Sequence, residues 1–276
     1  MTRGGGSRGG EPAPDADQDP APDAAPVLVR RWGPPDPEAV VLLLHGGRAD
    51  ALDPPSRLNL PRTRLRPFGS AIAAATGLDR VLVAEVRYRH RGWNGARADA
   101  ARDARRALAE VRRDAGPVPV VLVGHSMGAR AALAVADDPF VRGVVALAPW
   151  CPPGEPTGHL TGRRLLLLHD PADRVTAARA TWDFAQRARA DGAWALGVLM
   201  PKGGHAMLRD AHVWHRVTTA LTLGLLGLAP LPPELWAPGS EPVLPLERLL
   251  PRLGSAPGPL PDAPARSSTG RPPPPN

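Results

Sequence analysis

Seven short apolar runs recur along the middle of this chain, separated by stretches of a different character. They are VLVRRW (27–32), VVLLL (40–44), VLVAEV (81–86), VPVVLV (118–123), VRGVVALA (141–148), LLLL (165–168) and ALGVLM (195–200). Runs that are apolar at successive rather than alternate positions belong to strands buried on both faces, as in a parallel sheet covered by helices. VLVRRW reads as an antiparallel edge strand and ALGVLM as the last strand. The stretches between carry helical patterns. In 98–114, Ala104, Ala107, Leu108 and Val111 recur at i, i+3, i+4, i+7, and the polar remainder is expected to face water. Residues 127–137, 176–190 and 208–228 also read as helices. Strands alternating with helices predict a doubly wound, mostly parallel α/β sheet, and no repeat at solenoid spacing interrupts the pattern.

The ends of the chain have another composition. Residues 1–26 are mainly Gly, Pro, Asp and Ala, too poor in apolar groups to offset the entropy of ordering, and predict a disordered tail. From Ala229 to Asn276 the chain is proline-rich and ends in RPPPPN, which predicts a second, largely disordered tail. Within it PLERLLPRL (245–253) spaces Leu246, Leu249 and Leu250 for a short docked helix. The rest reads as linker, and nothing in it names a partner. The expected domain is therefore 27–228. The first residues lack the apolar core of an export signal. The longest late apolar run, Ala220 to Leu231, falls far short of the about 20 residues a membrane span requires. A soluble, cytoplasmic protein with no membrane partner is expected.

The net charge of +7 comes almost wholly from arginine, since Lys202 is the only lysine. These arginines lie among acids, as in ADAARDARRALAEVRRDAG, without a basic-aromatic stripe. They read as solvated faces, and no nucleic-acid partner is expected. The single cysteine, Cys151, excludes a disulfide framework within the chain and reads as a small packed residue. His212 and His215, three apart, have no third ligand nearby in sequence, so no metal site is expected. His45 reads as a brace for the loop after its strand, and His125 as an internal residue of the turn described next.

The chemistry is concentrated in Gly124-His125-Ser126-Met127-Gly128, which follows VPVVLV and precedes the helical stretch GARAALAVA. In a G-x-S-x-G placed between strand and helix, the serine occupies a sharp, strained turn that lifts its oxygen above the sheet. The flanking glycines let neighbouring backbone approach. The N–H of Met127 is left free at a helix N-terminus, where negative charge is favoured. A hydroxyl needs a base to take its proton and a carboxylate to orient that base. Both follow later strands, as HDPADRV (169–175) and PKGGHAM (201–207), and Ser126, Asp173 and His205 fall in the order such sheets use. The glycine-rich turn His45-Gly46-Gly47-Arg48 offers a second oxyanion donor, the N–H of Gly47, with that of Arg48 as the alternate.

Read together, HGG, GHSMG, HDPADRV and GGHAML resemble the oxyanion, nucleophile, acid and histidine segments of the α/β-hydrolase superfamily over about residues 27–228. The local wording is similar to small, lidless bacterial esterases and dienelactone-hydrolase-like proteins. Family members usually carry His-Gly where this chain has His169-Asp170, so Asp170 competes with Asp173 as the acid. The family pattern places the acid four residues past the histidine, which favours Asp173. WCPPGEPTGHLTG (150–162) is too short to fold as a cap domain, implying an open site walled by Trp150, with Trp93 as a second candidate.

The resemblance implies a serine hydrolase that cleaves a small carboxylic ester through an acyl-enzyme. Its partner would be a small-molecule acyl substrate, and no cofactor is implied. Its rate would fall on the acid side as His205 takes up a proton. An acyltransferase or perhydrolase using the same triad, and a ligand-binding protein on the same fold, are the alternatives.

Overall fold

The computed structural model describes residues 27–56, 58–76, 78–232, 235 and 241–253, apart from the side chain of Arg252. The tail expected at 1–26, and the part beyond 253 of the tail expected at 229–276, lie outside these residues. Eight strands form one sheet: β1 (Leu28–Trp32), β2 (Ala39–Leu44), β3 (Val81–Val86), β4 (Val120–His125), β5 (Val141–Leu147), β6 (Arg164–His169), β7 (Trp194–Leu199) and β8 (Val243–Pro245). Their order is β1-β3-β2-β4-β5-β6-β7-β8. β1 runs antiparallel to β3 at the edge, and every other pairing is parallel. Every residue of β2, β3 and β4 is buried, as their unbroken apolar runs require.

Because side chains alternate along a strand, each strand feeds both faces. Val40, Leu42 and Leu44 enter one core, and Ala39, Val41 and Leu43 the other. The first core is closed by α2 (Asp99–Ala115), α3 (Met127–Ala134) and α4 (Ala178–Ala190), through residues such as Leu108, Ala132 and Phe184. The second is closed by α1 (Leu60–Thr76), α5 (Ala211–Leu225) and α6 (Leu246–Leu249), through Phe68, Trp214, Leu221 and Leu249. Between β5 and β6 the chain makes only a 3-10 turn at Gly158–Leu160, so no cap domain stands there. Among the described residues no helix is long and apolar enough to cross a membrane.

Three features depart from the sequence reading. ALGVLM does not end the sheet, because Val243 and Leu244 pair with Gly197 and Val198. Leu246 and Leu249 then bury beneath them, so the folded unit runs past residue 228. The strand has three residues among prolines and leaves no periodic signal. Helix α1 has 17 residues and was not foreseen, since Pro67 lies inside it and its exposed face is rich in arginine. It is held by burial of Leu65, Phe68 and Ile72, by the Phe68–His215 ring contact at 4.4 Å, and by the Arg62–Glu85 ion pair at 2.8 Å. The polar remainder of α2 does not all face water. Asp99, Asp103 and Glu110 are buried, with Asp103 paired to Arg89 and Glu110 accepting the N–H groups of Val27 and Leu28.

Candidate active site

β4 is central in the sheet and ends at His125, where the chain must reverse into α3 at once. Ser126 takes that turn with φ 55° and ψ −118°, a conformation that costs about 1–3 kcal/mol and persists only where its surroundings enforce it. They do so through backbone. The N–H of Ser126 donates to the Leu147 carbonyl at 3.0 Å, and its own carbonyl accepts from Arg130 at 3.1 Å and Trp150 at 3.2 Å. Gly128 lies against β2 so closely that a Cβ would stand 2.1 Å from the Leu44 carbonyl oxygen. The glycine is therefore what lets α3 cross the sheet at this distance.

The candidate acid and base come from neighbouring strand ends. The loop after β6 carries Asp170 and Asp173, and the loop after β7 carries His205. His205 Nε2 stands 3.1 Å from Ser126 Oγ, and its Nδ1 stands 2.9 Å from Asp173 Oδ2. The three residues singled out in the sequence thus form one hydrogen-bonded line. Burial favours the protonated form of Asp173. The N–H groups of Val175 and Thr176 and the His205 ring outweigh it and hold the carboxyl below its ordinary range. Asp170 is spoken for elsewhere: its oxygens accept the N–H groups of Ala172 and Gly204, both at 2.8 Å, which ties the acid loop to the histidine loop.

The elbow's own histidine also joins the two. His125 Nε2–H donates to the His205 carbonyl at 2.9 Å, and the rings lie 4.9 Å apart. Burial, with the positive charge His205 can carry, pushes the pKa of His125 down to about 3. It is a neutral brace. His45 is likewise kept neutral by burial and packs on Tyr88.

Met127 is the first residue of α3, so its N–H precedes the first helical bond, Arg130 to Ser126. The N–H of Gly47 has no acceptor among the described residues, and a Cβ there would meet Met127 Sδ at 2.6 Å. The two N–H groups therefore sit on touching residues beside Ser126. The alternate, Arg48, is excluded as a donor because its N–H bonds to the Arg91 carbonyl at 2.9 Å.

Trp150 is half-buried and adjoins Ser126 through its backbone bond. The Arg130 guanidinium lies between Trp93 (3.9 Å) and Trp150 (4.6 Å) and pairs with Glu155 at 2.7 Å. A cleft of about 580 Å³ is lined by Trp93, Arg130, Pro152, His159 and Phe184, and no triad residue lines it. Cys151 is buried, and burial and Glu155 push its thiol up to about 12, so it is no nucleophile at neutral pH. Among the described residues no group of three or more His, Cys, Asp or Glu is placed to hold a metal ion.

Three residues of this network carry no assigned role in the sequence analysis. Thr176 Oγ lies 2.9 Å from Asp173 Oδ2 and 3.1 Å from His205 Nδ1, and His169 and Thr181 lie behind the acid. The His169 of HDPADRV was visible as part of a motif, but its role depends on rotamers that no spacing reveals.

The fold is shared with solved proteins of low sequence identity. An esterase from the planctomycete Thermogutta terrifontis, with butyrate bound, superposes with a TM-score of 0.54 at 17% identity, over 72% of this chain and 88% of that one. TT1662 from Thermus thermophilus superposes with a TM-score of 0.51 at 17% identity, over 72% and 98%. A serine hydrolase without a lid from Xanthomonas campestris gives 0.50 at 16%, over 69% and 85%. No curated protein matches the sequence. The sequence model of the Alpha/beta hydrolase family matches residues 40–269, spanning the nucleophile, acid and histidine loops, and this chain belongs to that family.

Proposed function

We propose that the protein is a serine hydrolase that cleaves small carboxylic esters through an acyl-enzyme on Ser126. The observation that carries this reading is the unbroken line from Ser126 Oγ to His205 to Asp173, at 3.1 and 2.9 Å. Asp173 is a carboxylate at neutral pH and accepts the Nδ1–H of His205, which leaves Nε2 as the bare nitrogen facing the serine hydroxyl. As Ser126 attacks a carbonyl carbon, its proton passes to Nε2. The N–H groups of Met127 and Gly47 take the developing oxyanion. The imidazolium then protonates the leaving alcohol. Water, deprotonated by the same nitrogen, hydrolyses the acyl-enzyme and regenerates Ser126.

The surroundings support a small ester as the substrate. With no cap over the strand ends, a small ester reaches Ser126 from solvent, with Trp150 as the wall beside it. The relatives known as esterases and serine hydrolases support the reading through their shared fold. Intact mass after treatment with a fluorophosphonate tests it. One adduct on the natural protein and none on Ser126→Ala is expected. No adduct on the folded natural protein would overturn the proposal and favour a binding protein on the same fold.

A further inference from the structure

His169 is the last residue of β6 and is fully buried. Both of its ring nitrogens are engaged, and the partners dictate where its proton sits. Nε2 stands 3.1 Å from Asp173 Oδ2 and 3.2 Å from the Thr176 carbonyl. Both are acceptors, so Nε2 carries the hydrogen. A neutral imidazole has only one, so Nδ1 is an acceptor, and the group beside it is the hydroxyl of Thr181 at 2.8 Å, on α4 and itself fully buried. The edge of Trp182 packs on the ring at 6.1 Å. Burial keeps His169 uncharged, although Asp173 pulls the other way. The titratable groups facing it are Asp173 and His205.

Asp173 Oδ2 therefore receives three hydrogens: from His205 Nδ1 at 2.9 Å, Thr176 Oγ at 2.9 Å and His169 Nε2 at 3.1 Å. Two of these come from imidazoles that share the one oxygen. A second donor on a carboxylate oxygen helps to fix the carboxylate and draws off part of its negative charge, which weakens its hold on the proton of the first donor.

We infer that His169 is a positioning residue for the base, acting through Asp173, and that the working unit is the line Ser126–His205–Asp173–His169–Thr181. This rests on the serine-hydrolase reading and extends it. His169 holds the Oδ2 atom that His205 uses. Its N–H also draws charge from that oxygen, which weakens the pull of the carboxylate on the Nδ1–H of His205. Thr181 holds His169 in the one tautomer able to do this.

The test uses the full chain, with p-nitrophenyl acetate hydrolysis and the rate of fluorophosphonate labelling followed against pH. His169→Leu removes the N–H, His169→Gln returns an amide donor near Nε2, and Thr181→Val removes the hydroxyl behind the ring. Losing one hydrogen bond to the carboxylate should move the acid limb of kcat/KM upward by about half to one pH unit. kcat should fall about threefold to tenfold with KM unchanged, as for loss of a supporting contact. His169→Gln should restore both, and Thr181→Val should shift the limb in the same direction by less. An unmoved acid limb in His169→Leu overturns the inference, as does a His169→Gln as impaired as His169→Leu, which would make the ring mere packing. Should His169→Leu fail to fold, Thr181→Val decides, and an unmoved limb there has the same meaning. A natural protein that takes no label removes the hydrolase reading and this inference together. A labelled natural protein with unshifted variants removes this inference alone.

Discussion

Ser126 is held by main chain, whereas its acid and base are held by side chains. The serine's N–H and C=O are bonded to the backbones of Leu147, Arg130 and Trp150, and its helix is seated by the contact of Gly128 with Leu44. On the other side, Asp173 and His205 lie on loops joined by carboxylate, hydroxyl and imidazole contacts: Asp170 to Gly204, Thr176 to Asp173, and His125 to the His205 carbonyl. The position of Ser126 is thus fixed by chain geometry and does not change with protonation. The positions of the acid and base depend on which groups carry protons. The main-chain seat of Ser126 should tolerate acid and fail on added atoms, and the side-chain contacts that hold the two loops, that of His125 among them, should do the reverse.

The largest effect that divides the regions is expected within one loop. Asp173→Asn removes the charge that stabilises the imidazolium and leaves an amide where His205 Nδ1–H needs an acceptor. In serine hydrolases the equivalent change costs about 10⁴ in kcat, and a loss of about that order in ester hydrolysis is expected here. Asp170→Asn keeps one acceptor for two N–H groups and is expected to cost about tenfold or less, chiefly through a looser tie to Gly204. Equal losses in steady-state assays of the two variants would refute the assignment of the acid.

Next comes the elbow. Gly128→Ala places a Cβ against backbone, not against a yielding side-chain tip. It should destabilise the fold by about 3 kcal/mol or more in urea unfolding. A variant of natural stability and activity would show that α3 can lift off β2 without disturbing Ser126, and the contrast between the two regions would collapse.

The proton side predicts the response to pH. The folded pKa of His125 is about 3, against an ordinary value near 6.5, so between these values the unfolded chain binds the proton more readily. Its contribution is complete above about pH 6.5 and falls by about 1.4 kcal/mol for each unit of acidification below that. His169 and His45 are lowered in the same sense, again first by burial. Asp173, held below the ordinary carboxylate range, adds a loss only at lower pH. Urea unfolding at pH 7.5, 6 and 5 should show stability falling as pH drops, with a shallower slope in His125→Asn. Constant stability from pH 7.5 to 5 would contradict burial of neutral imidazoles at the site.

The same division explains what was readable in the sequence. Ser126, Asp173 and His205 stand just past the ends of β4, β6 and β7, and strand ends are marked by apolar runs that survive any detail of packing. His169, Thr176 and Thr181 matter because of rotamers chosen across β6 and α4, and nothing in HDPADRVTAARAT fixes those before the helix is seated. The preference for Asp173 over Asp170 came from the motif; in the structure Asp173 lies against His205, while Gly204 and Ala172 donate to Asp170. Asp103 and Glu110 were misread as solvated because their partners, Arg89 and the N–H groups of Val27 and Leu28, come from distant segments. Helix α1 escaped because Pro67 and its arginines mask a buried stripe whose neighbours are β3 and α5.

The smallest predicted effect lies at the wall, which is built from side chains but stands outside the proton path. Arg130 joins both regions: its N–H caps the Ser126 carbonyl, while its guanidinium fills the gap between Trp93 and Trp150 and contacts both Glu155 oxygens through Nε at 2.9 Å. Arg130→Lys keeps the backbone bond and the charge but loses the planar group that stacks on two indoles and reaches both oxygens. Trp150 would then be less firmly held, while Ser126, His205 and Asp173 keep their contacts. KM for a small ester should rise about threefold with kcat and the acid limb unchanged, because ground-state and transition-state binding weaken together. A fall in kcat in Arg130→Lys would show instead that the wall is coupled to the elbow through the Trp150–Ser126 bond. The main-chain support of the nucleophile would then depend on a side chain after all.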